Sequence, residues 1–227
     1  MCLLWLRFGL RSWAFSSSKP GAGKTTLLNA LAGCVPSAKG LSLVGRVAVT
    51  GSNPKAAFLP QESPLFSQLT VRETLEVAAR LRLPPATSAA HCSDAAERMI
   101  VALGLSRCAD TRVGAPTGGG KGGDGSESGG GRGVSGGERR RLAVACELLA
   151  APSLLFLDEP TSGLDSSAAR GVVESLAALA RKGRVVVASL HQPSAAVWAL
   201  LDDVVLLSDE GKVLYNGRVV DHTHIFP

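Results

Sequence analysis

The chain has 227 residues, of which 45% are hydrophobic, so it is large and apolar enough to bury the core of one domain. No apolar run reaches the ~18–20 residues of a membrane-spanning helix, which predicts a chain that is soluble by itself. The net charge is +5 and the five cysteines form no CxxC pair. This cysteine usage argues against zinc and disulfides and favours a reducing, cytoplasmic compartment, whereas the basic excess fits either an anionic partner or ordinary solvation.

The first 17 residues form an atypical N-terminal segment, which carries arginines among apolar side chains and has no acidic residue. This composition is typical of a transit peptide, but cleavage after it would cut into the glycine-rich segment that follows. We therefore expect an altered or alternative start of the chain. Within the segment, residues 13–15 predict a short strand that enters the glycine-rich segment.

This glycine-rich segment predicts a phosphate loop. Its residues are Gly21, Ala22, Gly23, Lys24, Thr25 and Thr26. In such a loop, backbone N–H groups at a helix N-terminus face the anion, the lysine reaches the β- and γ-phosphates, and the next hydroxyl binds Mg²⁺. The pattern G-x-x-x-x-G-K-[ST] is complete except at its first position, where Ser18 stands. The alternative is a glycine turn before an ordinary helix. In both cases a helix is predicted over residues 25–31, with Gly33 as C-cap.

Two short strands are predicted after this helix. Residues 45–51 alternate between apolar and polar side chains and end in glycine, and residues 56–60 are apolar and lead to Gln61. Gln61 would therefore lie at the end of a strand.

Two helices are predicted next, in a mostly helical region over residues 62–150. Thr70 is the expected N-cap of the first helix, and Glu73 three residues later completes a capping box. Ser93 or Asp94 is the expected N-cap of the second helix, which should end at Gly104.

Residues 117–133 form a glycine-rich insert of low complexity, which cannot bury a core and is expected to be disordered. The insert contains a formal G-x-G-x-x-G match. Because no strand precedes the match and no amphipathic helix follows at once, we attribute it to chance.

A Ser-Gly-Gly-Glu turn follows the insert and opens a basic helix predicted over residues 136–149. The turn consists of Ser135, Gly136, Gly137 and Glu138. Arg139, Arg140 and Arg141 follow the turn directly. We interpret them as a helix surface near a nucleotide, and not as a patch for nucleic acid.

Two carboxylates, Asp158 and Glu159, follow the apolar run 154–157, which predicts a buried strand. Acidic side chains at such a position are costly unless they meet a metal or a hydrogen-bond donor. We predict that Asp158 binds Mg²⁺ through water and that Glu159 acts as general base on the attacking water. The alternative is an N-cap for the next helix, but the chain turns at residues 160–163 before that helix begins.

His191 follows a strand predicted over residues 184–190. A lone histidine is usually structural, but parallel strands bring their carboxyl ends, where ligands bind, to one edge of a sheet. His191 could therefore contact the γ-phosphate, and Gln61 could contact the metal and the attacking water. A helix over 166–181 and strands over 204–208 and 212–215 complete the alternation, which predicts an α/β core with a parallel sheet.

In this order, the phosphate loop, the Ser-Gly-Gly-Glu turn and the acidic strand resemble the nucleotide-binding domain of an ABC transporter. Segments 69–75, 158–166 and 191–194 look like subfamily G, the white/pleiotropic-drug-resistance type. The resemblance covers residues 18–220 apart from the insert and leaves a tail at 221–227. It implies a RecA-like P-loop NTPase core with a mostly parallel sheet, and a helical subdomain that carries the signature turn.

The resemblance also implies how the domain works. Two such domains would pair head to tail, with each ATP between the phosphate loop of one and residues 135–138 of the other. Lys24, Gln61, Glu159 and His191 would serve catalysis, and Asp165 would contact the partner domain. Closure and hydrolysis would power export of a lipid or other hydrophobic compound. The cassette would be held on the cytoplasmic face of a membrane by a transmembrane domain that this chain lacks, and no nucleic-acid partner is expected.

Two departures from the family pattern bear on this interpretation. Family members have more sequence before the phosphate loop, including an aromatic residue that stacks on adenine, and subfamily G members continue into six membrane helices. We therefore expect a fragment or a truncated gene model. A non-catalytic nucleotide-binding module remains an alternative, favoured by Ser18. A soluble ATPase acting on DNA or ribosomes is another, although the chain has no heptad run and one cassette only.

Overall fold

The computed structural model describes residues 12–17, 21–35, 54–114 and 133–219. The chain divides into two compact units, one formed by residues up to Gln61 and from Pro152 onward, and the other by Glu62–Ala151. The strand predicted over 45–51, most of the insert and the tail lie outside the described residues.

The first unit is built on a mostly parallel sheet. Its six described strands are β1 (Ser12–Ser17), β2 (Ala56–Leu59), β3 (Leu154–Leu157), β4 (Val185–His191), β5 (Asp203–Leu207) and β6 (Val213–Arg218). Their order across the sheet is β2-β3-β4-β1-β5-β6, and only β6 is antiparallel to its neighbour. The predicted α/β fold class with a mostly parallel sheet is confirmed.

The described residues contain six α-helices. They are α1 (Lys24–Ala32), α2 (Val71–Arg82), α3 (Ala89–Ala102), α4 (Gly136–Leu148), α5 (Ser166–Arg181) and α6 (Ala195–Trp198). Three of them, α2, α3 and α4, follow one another without a strand between them in the described residues. Helix α1 ends at Gly33, whose φ of 72° is left-handed, as the predicted C-cap requires. None of the helices described is long and apolar enough to cross a membrane.

Buried residues lie on both faces of the sheet in the first unit. Leu28 of α1 packs with Phe156 and Val187, whereas Leu190 packs with Val173 of α5. Val187 and Leu190 lie an odd number of positions apart on one strand, so they point to opposite faces. A sheet covered on both faces explains the continuous apolar runs of its central strands and holds their carboxyl ends in fixed register.

The second unit contains α2, α3 and α4, and its first helix begins as predicted. The Thr70 hydroxyl accepts a hydrogen bond from the Glu73 N–H at 3.1 Å, and the Glu73 carboxylate accepts one from the Thr70 N–H at 2.8 Å. This is the predicted capping box, and it fixes the direction in which α2 leaves the preceding loop.

The predicted start of α3 is wrong. The N-cap is Ser88, whose hydroxyl accepts from the His91 N–H, and neither Ser93 nor Asp94 caps the helix. The reason is packing. Cys92 and Ala96 are buried on the same face of α3, so the turn that contains Cys92 is helical and the helix begins before Ser93. The Ser93 hydroxyl instead donates to the Glu76 carboxylate of α2 at 3.2 Å.

Candidate functional site

The candidate site of the first unit lies at the carboxyl edge of the sheet. In the parallel register, Leu59 of β2 is opposite Leu157 of β3, which is opposite Ala188 of β4. The residues that follow these strands therefore meet at one edge, which is where open α/β sheets bind their ligands.

The glycine segment enters this edge in a conformation that needs glycine. Gly21 and Gly23 have φ values of 87° and 83°, in the left-handed region. Gly23 is the N-cap of α1 and gives no side-chain cap, and the first turn of α1 carries no acidic residue. The positive end of the helix dipole and the free N–H donors of the first turn are therefore not compensated by a side chain, which suits an anion. Ala22 is buried. Gly211 packs close to it, since a Cβ atom added at Gly211 would lie 3.3 Å from the Ala22 carbonyl oxygen.

Three side chains of α1 were predicted to act on phosphate or metal. Lys24 is the first residue of the helix and is buried, with 4% of it exposed, whereas Thr25 and Thr26 are exposed. The Thr25 hydroxyl donates to Oδ1 of Asp158 at 3.1 Å. The structure thus brings the glycine segment and the acidic strand into direct contact.

Asp158 is buried and belongs to a hydrogen-bond network that spans two strands. Besides Thr25, its Oδ1 accepts from the Ser189 hydroxyl at 2.6 Å. The same hydroxyl accepts from the Glu159 N–H at 2.8 Å. Sequence reasoning missed Ser189, and the only signal for it is one hydroxyl within the apolar run of β4.

Glu159 and Gln61 are side by side. Nε2 of Gln61 donates to Oε2 of Glu159 at 3.0 Å and also to the Ser162 hydroxyl at 3.3 Å. Glu159 has a φ of 42°, which is strained for a residue with a side chain. Such strain is concentrated at functional sites, where the surrounding structure holds it in place.

The alternative role of these carboxylates as a helix cap is excluded. Helix α5 begins at Ser166, and its N-cap is Asp165, whose Oδ1 accepts from the N–H groups of Ser167 and Ala168 at 2.9 and 3.0 Å. Asp165 itself is exposed.

His191 is the last residue of β4 and is exposed at the same edge of the sheet. It lies opposite Ser17, the last residue of β1, in the parallel register. The next residue, Gln192, has a φ of 44°, so the chain turns sharply after the histidine.

In the second unit, the Ser-Gly-Gly-Glu turn forms the start of α4. Ser135 is the N-cap, and its N–H and hydroxyl both donate to Oε2 of Glu138 at 2.8 Å. Burial acts to raise the pKa of Glu138, but hydrogen bonds from Ser135, with the nearby Cys108 thiol and the charge of Arg141, hold it below its ordinary value. The charged carboxylate therefore fixes the turn, with Gly136 exposed and Gly137 buried.

The residues at the sheet edge fit a magnesium-bound nucleotide. Thr25 and Asp158 offer the oxygen ligands that Mg²⁺ prefers, and the N-terminus of α1 with Lys24 offers donors to phosphate. No group of three or more His, Cys, Asp or Glu side chains that could hold a metal ion occurs in the described parts of the chain.

Comparison with known proteins identifies the ABC transporter family over more than half of the chain. A family model described as ABC transporter matches residues 19–162, and a shorter match to an AAA domain covers residues 132–195. ABC transporter G family member 7 of Arabidopsis thaliana is 46% identical over 202 residues, covering 87% of this chain and 26% of that protein. Member 13 of the same plant is 43% identical over 211 residues, covering 91% of this chain and 29% of that protein.

The fold is shared with a solved protein. A structure titled as the dimeric form of a bacterial ABC transporter cassette superposes with a TM-score of 0.68 at 20% identity, covering 95% of this chain and 89% of that one. The chain thus spans nearly the length of that cassette, but less than a third of the plant relatives named above.

Proposed function

The chain belongs to the ABC transporter family and corresponds to its ATP-binding part, and from that premise we propose that it binds MgATP and hydrolyses it to ADP and phosphate. The observation that carries this proposal is the hydrogen bond from the Thr25 hydroxyl to Asp158, at 3.1 Å. This bond joins the phosphate loop to the acidic strand, which are the two parts that phosphoryl transfer needs in one place.

Residues 21–26 would bind the phosphates. Backbone N–H groups at the start of α1 would surround them, and the buried Lys24 would reach the β- and γ-phosphates. Thr25, Asp158 and Gln61 would hold Mg²⁺, Asp158 through a water molecule. The ion, when bound, neutralises charge that develops on the phosphates.

Glu159 would act as general base at the end of β3. A water oxygen would attack the γ-phosphorus while Glu159 takes the proton, and the bond to the oxygen of the β-phosphate would break, releasing ADP. The hydrogen bond from Gln61 at 3.0 Å holds the Glu159 side chain at the sheet edge. His191, exposed at the same edge, would contact the γ-phosphate.

The active form would be a head-to-tail pair of two such domains. Residues 135–138 of one would complete the ATP site at the phosphate loop of the other. The exposure of Ser135 and Gly136 at the start of α4 supports this role, because it leaves the turn accessible to a partner. Asp165, exposed at the start of α5, would contact the partner domain.

Hydrolysis would power export of a lipid or other hydrophobic compound. Similarity to ABC transporter G family members supports a part in transport. The cassette would act at the cytoplasmic face of a membrane beside a transmembrane domain, to which Gln61 would report the state of the nucleotide.

The test is phosphate release from ATP by the purified chain with Mg²⁺ and with the metal removed by EDTA. We expect hydrolysis that depends on Mg²⁺ and stops on chelation, because the oxygen ligands of the site bind nucleotide as its metal complex. Binding without hydrolysis would assign the chain as a non-catalytic nucleotide-binding module. The absence of both binding and hydrolysis would contradict the proposed function.

A further inference from the structure

We propose that Ser189 is a positioning residue of the ATP site. Its hydroxyl holds the Asp158 carboxylate and the backbone of Glu159 in position, and so determines how tightly the site binds the metal. The inference rests on the proposed function and concerns a residue that does not itself touch nucleotide or metal. Ser189 is 0% exposed.

The position of Ser189 follows from the register of the sheet. Ala188 of β4 is opposite Leu157 of β3, so the next residues of these parallel strands, Ser189 and Asp158, are neighbours. The hydroxyl donates to Oδ1 of Asp158 at 2.6 Å and accepts from the Glu159 N–H at 2.8 Å. A hydroxyl has one proton, and an N–H can only donate, so both directions are fixed.

This pair of hydrogen bonds constrains the two residues predicted to perform the chemistry. One bond restricts the rotation of the Asp158 side chain. The other holds the peptide that leads into Glu159, whose φ of 42° is unfavourable without support from its surroundings. A single buried hydroxyl therefore links the expected metal ligand with the expected general base.

A purely structural role explains Ser189 less well. The neighbouring positions of β4 are apolar and buried, namely Val186, Val187, Ala188 and Leu190. An apolar residue would fill this strand at least as well, because a buried hydroxyl is costly unless both of its hydrogen-bonding functions are used. At Ser189 they are used on Asp158 and Glu159, which points to orientation of the site.

The experiment measures binding of metal by the whole chain, with Mn²⁺ in place of Mg²⁺ and a nonhydrolysable ATP analogue present. Electron paramagnetic resonance reports the free Mn²⁺, and the same titration without protein gives the share held by the analogue alone, so no turnover is needed. In Ser189→Ala we expect Mn²⁺ binding to weaken by about 10- to 100-fold, as for other groups that orient metal ligands. Ser189→Thr keeps the hydroxyl and should stay close to wild type.

The control is Ser175→Ala, which removes a hydroxyl of α5 that donates to the Gly171 carbonyl at 2.9 Å, away from the site. Its Mn²⁺ affinity should match that of the wild-type chain. If Ser189→Ala does not fold by circular dichroism, Ser189→Val, which has the shape of threonine but no hydroxyl, is measured in its place.

The outcomes separate this inference from the proposed function. Unchanged Mn²⁺ affinity in Ser189→Ala or Ser189→Val would overturn the inference alone. Equal losses in Ser189→Ala and Ser189→Thr would assign the effect to packing and would also overturn it. A wild-type chain that binds no metal–nucleotide complex would overturn the proposed function, and the inference with it.

Discussion

Replacing Glu159 by glutamine is expected to preserve MgATP binding and to slow hydrolysis by at least ~100-fold, within the ~10²–10⁴-fold range of general-base contributions. Glutamine has the same shape, and its carbonyl oxygen can still accept the hydrogen bond that Gln61 donates at 3.0 Å. It cannot take a proton from water. Binding of a nucleotide analogue and the rate of phosphate release measure the two effects separately.

The same variant should also show the proposed pairing of domains. With hydrolysis blocked, Glu159→Gln is expected to accumulate as a dimer with ATP, detected by light scattering during gel filtration. The matched control is Glu174→Gln, an exposed residue of α5 paired with Arg170 at 2.8 Å. Glu159→Gln with the turnover of this control would show that Glu159 is not the general base.

Replacing Lys24 by alanine is expected to weaken binding of MgATP by at least ~100-fold, or about 2.7 kcal/mol, and so to abolish hydrolysis. Lys24 is buried at the start of α1, with 4% exposed, so its ammonium would meet phosphate where water competes little. Equilibrium binding of a fluorescent ATP analogue measures the change.

A lysine outside the site provides the control for this variant. Lys182 is exposed and follows α5 as its C-cap, so Lys182→Ala removes one positive charge without touching the glycine segment. Its affinity for the analogue should equal that of the wild-type chain. An equal loss in both variants would indicate a general effect of charge, and no loss in Lys24→Ala would show that this lysine does not contact the phosphates.

The contact between the glycine segment and the acidic strand was predictable because parallel strands share a carboxyl edge. An apolar run ending in Asp158 and Glu159, and another leading to Gln61, were enough to place these side chains near Thr25. The structure adds contacts that the sequence does not carry, such as the bond from Gln61 to Glu159 at 3.0 Å.

Ser189 and the start of α3 were not predictable because tertiary contacts decide both. Ser189 is a single hydroxyl within an apolar strand, and its partners become clear only when β3 and β4 are aligned. At α3, several residues were adequate caps locally, and burial of Cys92 on the core-facing side selected Ser88.

The role of Asp165 was predictable from the sequence only in part. The resemblance predicts a contact with a partner domain, whereas the structure reveals a local role, with its Oδ1 accepting from two N–H groups of α5. Local capping was readable from an aspartate placed before a helical run. A contact made only in a pair of domains cannot be read from one chain, so that role stays a prediction.

Hydrolysis of MgATP by the purified 227-residue chain, followed over a range of protein concentrations, tests the proposed cassette most directly. If two chains complete each other's ATP sites, the activity per chain should rise with concentration and level off when all chains are paired. The activity should be absent in Lys24→Ala at every concentration. An activity per chain that does not change with concentration, or that persists in Lys24→Ala, would contradict a paired cassette with the nucleotide bound at Lys24.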